Sequence, residues 1–396
     1  MKKHLIAAAV AAAVAVPAAA QVTVSGTIDI TPYASTKTVF GESSATAADG
    51  TKSRSTTNAE QTGGAFSTSE LVFSGTEDLG GGLRVSFRYS EALNVNAGMG
   101  GARDGWVGLE GGFGRLQVGR MNTAINDLAN WTGLASPNTQ GTVDSGGADL
   151  IAGTFGGAHT IADAAAGGGT ITHAAALGGS LAGRTPGVIQ YTTPTFSGFR
   201  ATFDYLQTSA DSDGTLNDGD TSTRQMSARL NYAAGPFAVA VAMGERKVET
   251  EETTAGAGNA FAKAKVNWVG ASYNLGVARV FAAYGSRKDD STTNKIDTAI
   301  ATSYDATVRA IGVNVPFGSS IFFASAYDGE NNLAAGAADD REANGYQVGV
   351  RYNMSKRTFL YGLYGMDKNE DKTKAGNAQA DSFKRTQSAI GVAHSF

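Results

Sequence analysis

Residues 77–90 read Glu-Asp-Leu-Gly-Gly-Gly-Leu-Arg-Val-Ser-Phe-Arg-Tyr-Ser, a glycine-rich stretch followed by strictly alternating apolar and polar side chains. Successive side chains of a strand point to opposite faces of a sheet, so the alternation predicts a strand with one apolar face. The glycines directly before it predict a tight turn. The same alternation recurs in four more segments, which we also predict as strands, at 22–30, 199–205, 225–232 and 346–353.

The connections between the predicted strands are alternately short and long. Short turns on one side and long loops on the other are typical of a barrel in the outer membrane of bacteria. A closed sheet also leaves no unpaired backbone in lipid. Seven short turns are predicted at 77–82, 111–114, 194–198, 233–236, 274–276, 316–319 and 353–356. Eight long polar stretches lie near 35–65, 92–102, 121–185, 208–222, 247–260, 288–304, 329–342 and 368–382.

Fifteen connections of this kind join sixteen strands. We therefore predict an all-β fold, a 16-stranded antiparallel transmembrane β-barrel with short periplasmic turns and long external loops. A soluble, exported β-sandwich is the alternative, but it gives no reason for the loops to sort by side. The last strand supports the barrel, since it ends on an aromatic residue, Phe396.

The first twenty residues predict a secretory signal peptide. Lys2-Lys3 is a basic start, residues 5–16 form an unbroken apolar run, and Ala18–Ala20 provides a cleavage site. The predicted organisation is a signal peptide at 1–20, cleaved after Ala20, and one barrel domain at 21–396. The rest of the sequence contains no apolar run long enough to cross a membrane as a helix.

The composition excludes several classes of protein. Only 17% of the 396 residues are charged, yet the mean hydropathy is slightly negative, unlike that of a protein with many membrane helices. A net charge of -4 offers no basic surface for nucleic acid. The absence of cysteine excludes disulfides and thiolate metal sites.

No catalytic signature stands out in the sequence. It contains no G-x-S-x-G, H-E-x-x-H, phosphate-loop or dinucleotide-binding pattern, and only four histidines. We therefore predict that the protein is not an enzyme and has no catalytic residue, cofactor or metal site.

Several stretches of the chain, taken in order, resemble the general diffusion porins of Gram-negative bacteria, most closely the β-proteobacterial branch. They are residues 69–82 (Ser-Glu-Leu-Val-Phe-Ser-Gly-Thr-Glu-Asp-Leu-Gly-Gly-Gly), 106–120, 188–199, 353–364 and the terminal Phe396. The resemblance implies a sixteen-stranded barrel, usually a homotrimer, whose third long loop, about 121–185, folds inward and narrows the lumen. It also implies that the outer-membrane assembly machinery reads the last strand.

Charged side chains at the narrowing are expected to set the selectivity of such a channel. Strand parity turns Arg84 and Arg88 inward, and the resemblance adds Arg103 and Arg184 to this basic side. For the acidic side we expect Glu70 and, from the third loop, three aspartates, Asp127, Asp144 and Asp149.

Two positions depart from the family pattern. Glu70 stands where the family commonly has arginine, and Thr27 stands where related porins can carry lysine. One hypothesis is that the channel prefers anions less than is typical of the branch, or prefers cations. The alternative is that Glu70 pairs locally with an arginine and neutralises it.

Aromatic residues collect where a barrel wall meets the membrane interface. We predict Trp106, Trp268 and Phe396 as such interface aromatics, because both tryptophans fall on the apolar parity of their strands.

Together these features predict a protein of the cell outer membrane that forms a water-filled channel for passive diffusion of small hydrophilic solutes and ions. A substrate-specific outer-membrane channel is the alternative function, and an adhesin or purely structural barrel is a third. The expected partners are membrane lipid, lipopolysaccharide, further copies in a homotrimer, the outer-membrane assembly machinery and the diffusing solutes.

Overall fold

The structure is a computed structural model of the 396-residue chain. The predicted signal peptide at 1–20 lies outside the described residues, so its cleavage stays a prediction. The described residues are 21–42, 52–59, 66–94, 98–125, 160–162, 170–172, 184–210, 221–250, 260–295, 298–334, 341–371 and 383–396.

Nineteen strands occur in the described residues, and sixteen of them form one closed barrel. They are β1 (Gln21–Glu42), β2 (Lys52–Ala59), β3 (Glu70–Gly80), β4 (Leu83–Asn94), β5 (Gly98–Gly111), β6 (Gly114–Asn122), β7 (Thr160–Ala162), β8 (Thr170–Thr172), β9 (Arg184–Thr192), β10 (Phe199–Ala210), β11 (Thr221–Ala234), β12 (Phe237–Thr250), β13 (Ala260–Asn274), β14 (Arg279–Lys295), β15 (Thr298–Phe317), β16 (Ser320–Ala334), β17 (Arg341–Asn353), β18 (Thr358–Asp371) and β19 (Phe383–Ser395).

Every barrel strand pairs antiparallel with its neighbours, which confirms the predicted fold class. The ring runs from β1 through β3–β6 and β9–β19, and it closes where β19 pairs with β1. Closure removes the sheet edges that would otherwise expose unpaired backbone groups. The strand β2 is an extension that pairs with residues 34–42 of β1. The short strands β7 and β8 pair only with each other among the described strands. Among the described residues, no helix is long and apolar enough to cross a membrane.

All seven predicted short turns separate consecutive barrel strands. At the first of them, Gly80, Gly81 and Gly82 have φ angles of 81°, 62° and 82°. This left-handed region is strained for residues with a Cβ atom, which explains the run of three glycines. The short turns therefore lie at one end of the barrel and the long connections at the other.

Three of the predicted long loops are less than half as long as the sequence indicated. The strands β4 and β5 extend to Asn94 and Gly98, β14 and β15 extend to Lys295 and Thr298, and β16 and β17 extend to Ala334 and Arg341. Above the membrane a strand needs only its backbone hydrogen bonds, because polar side chains on both faces can contact water. Polar composition alone therefore does not mark where pairing ends.

Alternating exposure separates the two faces of the barrel wall. On β11, Met226 and Leu230 are 48% and 50% exposed, whereas Gln225 and Arg229 are 1% and 7% exposed. The apolar side chains face outward, and the polar ones face the interior. A barrel in lipid is expected to have its apolar face outward and its polar face inward in this way.

Part of the interior face of β12–β15 is an exception, because it is lined by small and apolar side chains. Ala242, Val266, Trp268 and Val308 are almost fully buried there. Trp268 is 4% exposed, while its neighbour Val269, on the outward face, is 39% exposed. The prediction of Trp268 as an interface aromatic is therefore wrong: the apolar parity of β13 faces inward.

The same correction applies to Trp106. It pairs in register with Arg88, so both side chains lie on the interior face, whereas Val107 is outward and 57% exposed. Gly105 and Gly108 have no side chains, so the residues around Trp106 do not show which face of the strand is apolar. Phe396 does lie on the outward side, over Gly26, with which it exchanges two backbone hydrogen bonds of 3.0 and 3.2 Å. Its role as an interface aromatic stays a prediction.

Candidate constriction site

A β-bulge in β5 brings two consecutive charged residues to the interior face. Tyr89 pairs with Gly105 and Glu91 pairs with Ala102, so two residues of β5, Arg103 and Asp104, stand opposite one residue of β4. Such an extra residue bends the strand locally and redirects a side chain. The Asp104 amide donates to the Oγ of Ser90 at 3.2 Å, which fixes the bulge.

Five side chains form a chain of alternating charge on this wall. Arg184 Nε donates to Asp104 Oδ1 at 2.7 Å, and Arg88 Nε donates to Asp104 Oδ2 at 3.1 Å. Arg88 Nη2 then donates to Glu70 Oε1 at 3.2 Å, and Arg103 Nε donates to Glu70 Oε2 at 3.1 Å. We call Arg184, Asp104, Arg88, Glu70 and Arg103 the charge chain.

The charge chain is only partly exposed. The side-chain exposures run from 11% for Asp104 to 31% for Arg88. Ion pairs in such surroundings are screened less by salt than fully exposed ones. Three guanidinium groups against two carboxylates leave the chain with one net positive charge.

A further arginine contacts the charge chain from β6. The Nε of Arg120 donates to the backbone carbonyl of Arg103 at 3.0 Å. The register between β6 and β9 shifts between Gly119 and Met121, and Gly119 has a φ of 140°. Because of this irregularity, the Arg120 side chain faces the interior, although regular alternation would place it on the outward face with Val118.

The structure brings together three of the four predicted arginines, Arg88, Arg103 and Arg184. Arg84 shares their face but lies near the short turn, where it pairs with Glu110 at 3.3 Å. Glu70 lies among the arginines rather than across the lumen from them. It therefore makes the local ion pairs that the second of the two hypotheses for this position predicts. The predicted aspartates of the third loop, Asp127, Asp144 and Asp149, lie outside the described residues.

Asp104 is the member of the charge chain that the sequence did not reveal. Regular alternation allows only one of Arg103 and Asp104 to face inward, and the bulge that turns both inward has no clear sequence mark. The nearest signal is Gly101, whose φ of 107° suits glycine at the irregular part of the strand.

The beginning of the third long loop lies against the interior wall. After β6 ends, the amide of Ala124 donates to Asp204 Oδ2, and Arg229 Nη1 donates to the carbonyl of Ala124 at 3.2 Å. Ile125 packs onto Gly244 and joins the buried apolar side chains of β12–β15. The described start of this loop thus enters the lumen, toward the wall that lacks the charge chain.

A polar cavity adjoins the charge chain. It has a volume of about 470 Å³, and its lining includes Arg88, Trp106, Ser74 and Thr23. Among the described residues, no group of three or more His, Cys, Asp or Glu side chains is placed to hold a metal ion. The arrangement therefore offers fixed charges and hydroxyl groups beside open volume, which suits solutes that pass rather than react.

Comparison with known proteins agrees with this geometry. Residues 7–372 match the family model described as Gram-negative porin. The chain is 29% identical over 427 aligned positions to outer membrane porin protein 32 of Delftia acidovorans, and the alignment covers 100% of both proteins.

Two solved structures share the fold. An anion-selective porin from Comamonas acidovorans superposes with a TM-score of 0.61 at 22% identity, covering 95% of this chain and 100% of the other. The trimer form of OmpT, an outer membrane protein of Vibrio cholerae, superposes with a TM-score of 0.54 at 14% identity, covering 96% and 100%.

Proposed function

Because the chain belongs to the Gram-negative porin family, we propose that the charge chain sets the selectivity of its outer-membrane channel for small hydrophilic solutes and ions. The observation that carries this proposal is the alternation of three arginines and two carboxylates on one interior wall. Porins are channels, and passage through them requires no bond chemistry. Accordingly we propose no catalytic role for this chain.

The mechanism is electrostatic sorting in a narrow aqueous passage. Fixed charges next to a low-dielectric wall create a local field that orients dipolar solutes and changes the local concentration of each ion. In the charge chain each carboxylate contacts two arginines, so much of the field is that of paired dipoles, which falls off faster with distance than that of a free charge. The remaining positive charge, together with that of Arg120 beside it, gives a preference for anions that the two carboxylates weaken.

Glu70 is the residue that lowers this preference. Its two oxygens pair with Arg88 and Arg103, and both of these arginines would otherwise act on passing ions. We propose that the channel is less anion-selective than a porin with arginine at this position. The Comamonas acidovorans porin is described as anion-selective, but at 22% identity it supports the shared fold alone.

Recording of single channels in a planar lipid bilayer tests the proposed function. We expect stepwise conductance that rises in proportion to salt concentration, as in a water-filled passage. A folded, inserted protein that gives no conductance would overturn the proposal. Conductance that saturates with one particular solute would favour a substrate-specific channel instead.

The outward face carries a cationic cluster that fits lipopolysaccharide as a partner. Three lysines, Lys247, Lys263 and Lys265, surround the carboxylate of Glu245 at 3.3, 3.1 and 3.9 Å. The cluster lies on the external side of the outward apolar residue Met243. Its excess positive charge suits the phosphate groups of the outer leaflet, because basic residues near a membrane surface attract anionic headgroups.

We propose a homotrimer with further partners in assembly. The trimer form of the Vibrio cholerae protein, which shares the fold, supports this state. The pairing of Phe396 with Gly26 at the barrel seam supports the proposal that the assembly machinery binds the terminal strand. We also propose cleavage after Ala20, on the basis of the small residues Ala18–Ala20 that follow the apolar run.

A further inference from the structure

The backbone pairing of β1 with β2 and β3 contains a gap. Pairing of β1 with β3 ends at Thr27 and Glu70, and pairing of β1 with β2 begins at Ala34 and Ala59. The residues of β1 between these points have no register partner in β2 or β3. The segment 66–69, which precedes β3 and which we call the inner segment, contacts β1 within this gap.

Asp29 holds the inner segment through its side chain. Its Oδ2 accepts hydrogen bonds from the Phe66 amide at 3.1 Å, the Ser67 amide at 2.6 Å and the Ser67 hydroxyl at 3.2 Å. Its Oδ1 accepts a hydrogen bond from the Tyr361 hydroxyl at 2.6 Å. Asp29 is fully buried, so each of these bonds replaces one that water would otherwise make.

Ser69 fixes the other end of the inner segment. Its Oγ accepts from the Asp29 amide at 2.9 Å and donates to the Asp29 carbonyl at 3.1 Å. The Ser69 hydroxyl thereby makes the bonds that a neighbouring strand would make. Its carbonyl accepts from the Leu93 amide at 2.8 Å, which ties the same residue to β4.

The ring of Phe66 anchors the inner segment against the interior wall. It is 2% exposed, and its centroid lies 5.1 Å from those of Phe359 and Tyr361 and 6.1 Å from that of Phe323. Burial of a phenylalanine side chain is favourable because it removes a large apolar surface from water. The inner segment is therefore held by an apolar contact as well as by Asp29.

The residue that follows the inner segment is Glu70, one of the two carboxylates of the charge chain. We propose that Asp29 is a positioning residue, which holds the inner segment so that Glu70 reaches both Arg88 and Arg103 and lowers the anion preference of the channel. None of the hydrogen bonds of Asp29 goes to an arginine of the charge chain. Beyond the field of its own carboxylate, its effect on ions therefore passes through the position of Glu70.

The physical reason is the cost of unpaired buried groups. An asparagine at position 29 keeps the size of the side chain but offers one neutral oxygen in place of two negatively charged ones, and its amide group can only donate. The hydrogen bonds from the Phe66 and Ser67 amides are then no longer charge-assisted, so the inner segment is held less firmly and shifts. Glu70 then moves with Ser69, and its two ion pairs of 3.2 and 3.1 Å lengthen.

A double-mutant cycle read out by reversal potential tests this inference, which rests on the proposed channel function. The four proteins are the wild type, Asp29→Asn, Glu70→Gln and the double variant, each in a planar bilayer with a KCl gradient. We expect Asp29→Asn to shift the reversal potential toward anion selectivity in the wild-type background. In the Glu70→Gln background we expect less than half of that shift.

Glu110→Gln is the matched control, because it removes an interior carboxylate that is not part of the inner segment or the charge chain. It acts only through its own field, so its shift should be the same in both backgrounds. An equal shift from Asp29→Asn in both backgrounds, or no shift at all in a folded protein, would overturn the inference.

Heat-modifiable migration in detergent gels shows whether Asp29→Asn folds. If it does not, Ser69→Ala is the second variant that tests the inference. This variant removes only the hydroxyl bonds to Asp29 and should show the same dependence on Glu70. Additive shifts would overturn the inference for this variant too. A folded wild type without conductance would instead overturn the proposed function itself.

Discussion

Arg184 donates from Nε to the Oδ1 of Asp104 at 2.7 Å, although β6 lies between their strands. The contact joins the first residue of β9 to the bulge in β5. The same carboxylate also accepts from Arg88, so Asp104 holds two cations that come from different strands.

Replacement of Asp104 by asparagine should make the channel more anion-selective. The substitution leaves Arg88 and Arg184 without their shared counter-charge, so the net charge of the charge chain rises by one. Reversal potential in a KCl gradient measures the change. Asp328→Asn is the control, because Asp328 lies on the outward face and pairs with Arg309; equal shifts from both variants would contradict the account.

The selectivity of the channel should fall as the ionic strength rises. The screening length is about 8 Å at 0.15 M salt and about 3 Å at 1 M, so the field of the charge chain reaches less of the passage at high salt. Reversal potentials at a constant concentration ratio, measured at low and at high absolute concentration, test this. A selectivity that does not depend on salt would indicate sieving by size alone.

We expect Asp204 to limit the fluctuations of the current through the open channel. It accepts from the Ala124 amide, from Gln190 Nε2 at 2.8 Å and from Ser227 Oγ at 2.5 Å. In an Asp204→Asn variant one of the two acceptor oxygens becomes an amide group that can only donate, so the Ala124 amide, Ser227 and Gln190 cannot all keep an acceptor. The start of the third loop is then held less firmly, and we expect larger current fluctuations. The noise of single-channel records measures this effect.

The control for that variant is Asp328→Asn, which removes a carboxylate without touching the interior. Current noise that is unchanged in Asp204→Asn, with the barrel intact, would show that the loop is held elsewhere.

The inward orientation of Trp268 predicts a spectroscopic result. A variant that keeps only this tryptophan, with Trp106→Phe and Trp131→Phe, should fluoresce with little quenching by lipids brominated on their acyl chains. Val241→Trp in a background without other tryptophans is the matched control, because Val241 is outward and 44% exposed. Strong quenching of Trp268 would contradict its placement.

Charge on the outward face should destabilise the barrel far more than charge on the polar interior. Val241 is outward and 44% exposed, so Val241→Arg places a cation in the lipid at a cost of about 2–4 kcal/mol near the middle of the bilayer. Urea unfolding from lipid vesicles measures the loss. The interior exchange Ser86→Arg should cost much less, and equal losses would contradict the assignment of faces.

The strand number and the inward parity of Arg88 were predictable, because alternation and turn residues are local properties of the chain. Asp104 was not, since its orientation depends on a bulge set by the pairing of two strands. Trp268 was misassigned for a different reason. Part of the interior wall is apolar, packed against Ile125, so that apolar parity there does not mean contact with lipid.

Glu70 lies between these cases. Its departure from the family pattern is visible in the sequence. Whether it pairs locally depends on its distance to Arg88 and Arg103, which follows from the pairing of β3 with β4 and from the inner segment. The proposed loss of anion preference rests on that pairing.

The reversal potential of the wild type beside Glu70→Gln and Glu70→Arg, in a KCl gradient across a planar bilayer, tests the central claim most directly. We expect weak anion selectivity in the wild type, a clear shift toward anions in Glu70→Gln and a larger shift in Glu70→Arg. A wild type that is already strongly anion-selective, with no change in either variant, would contradict the role of the charge chain.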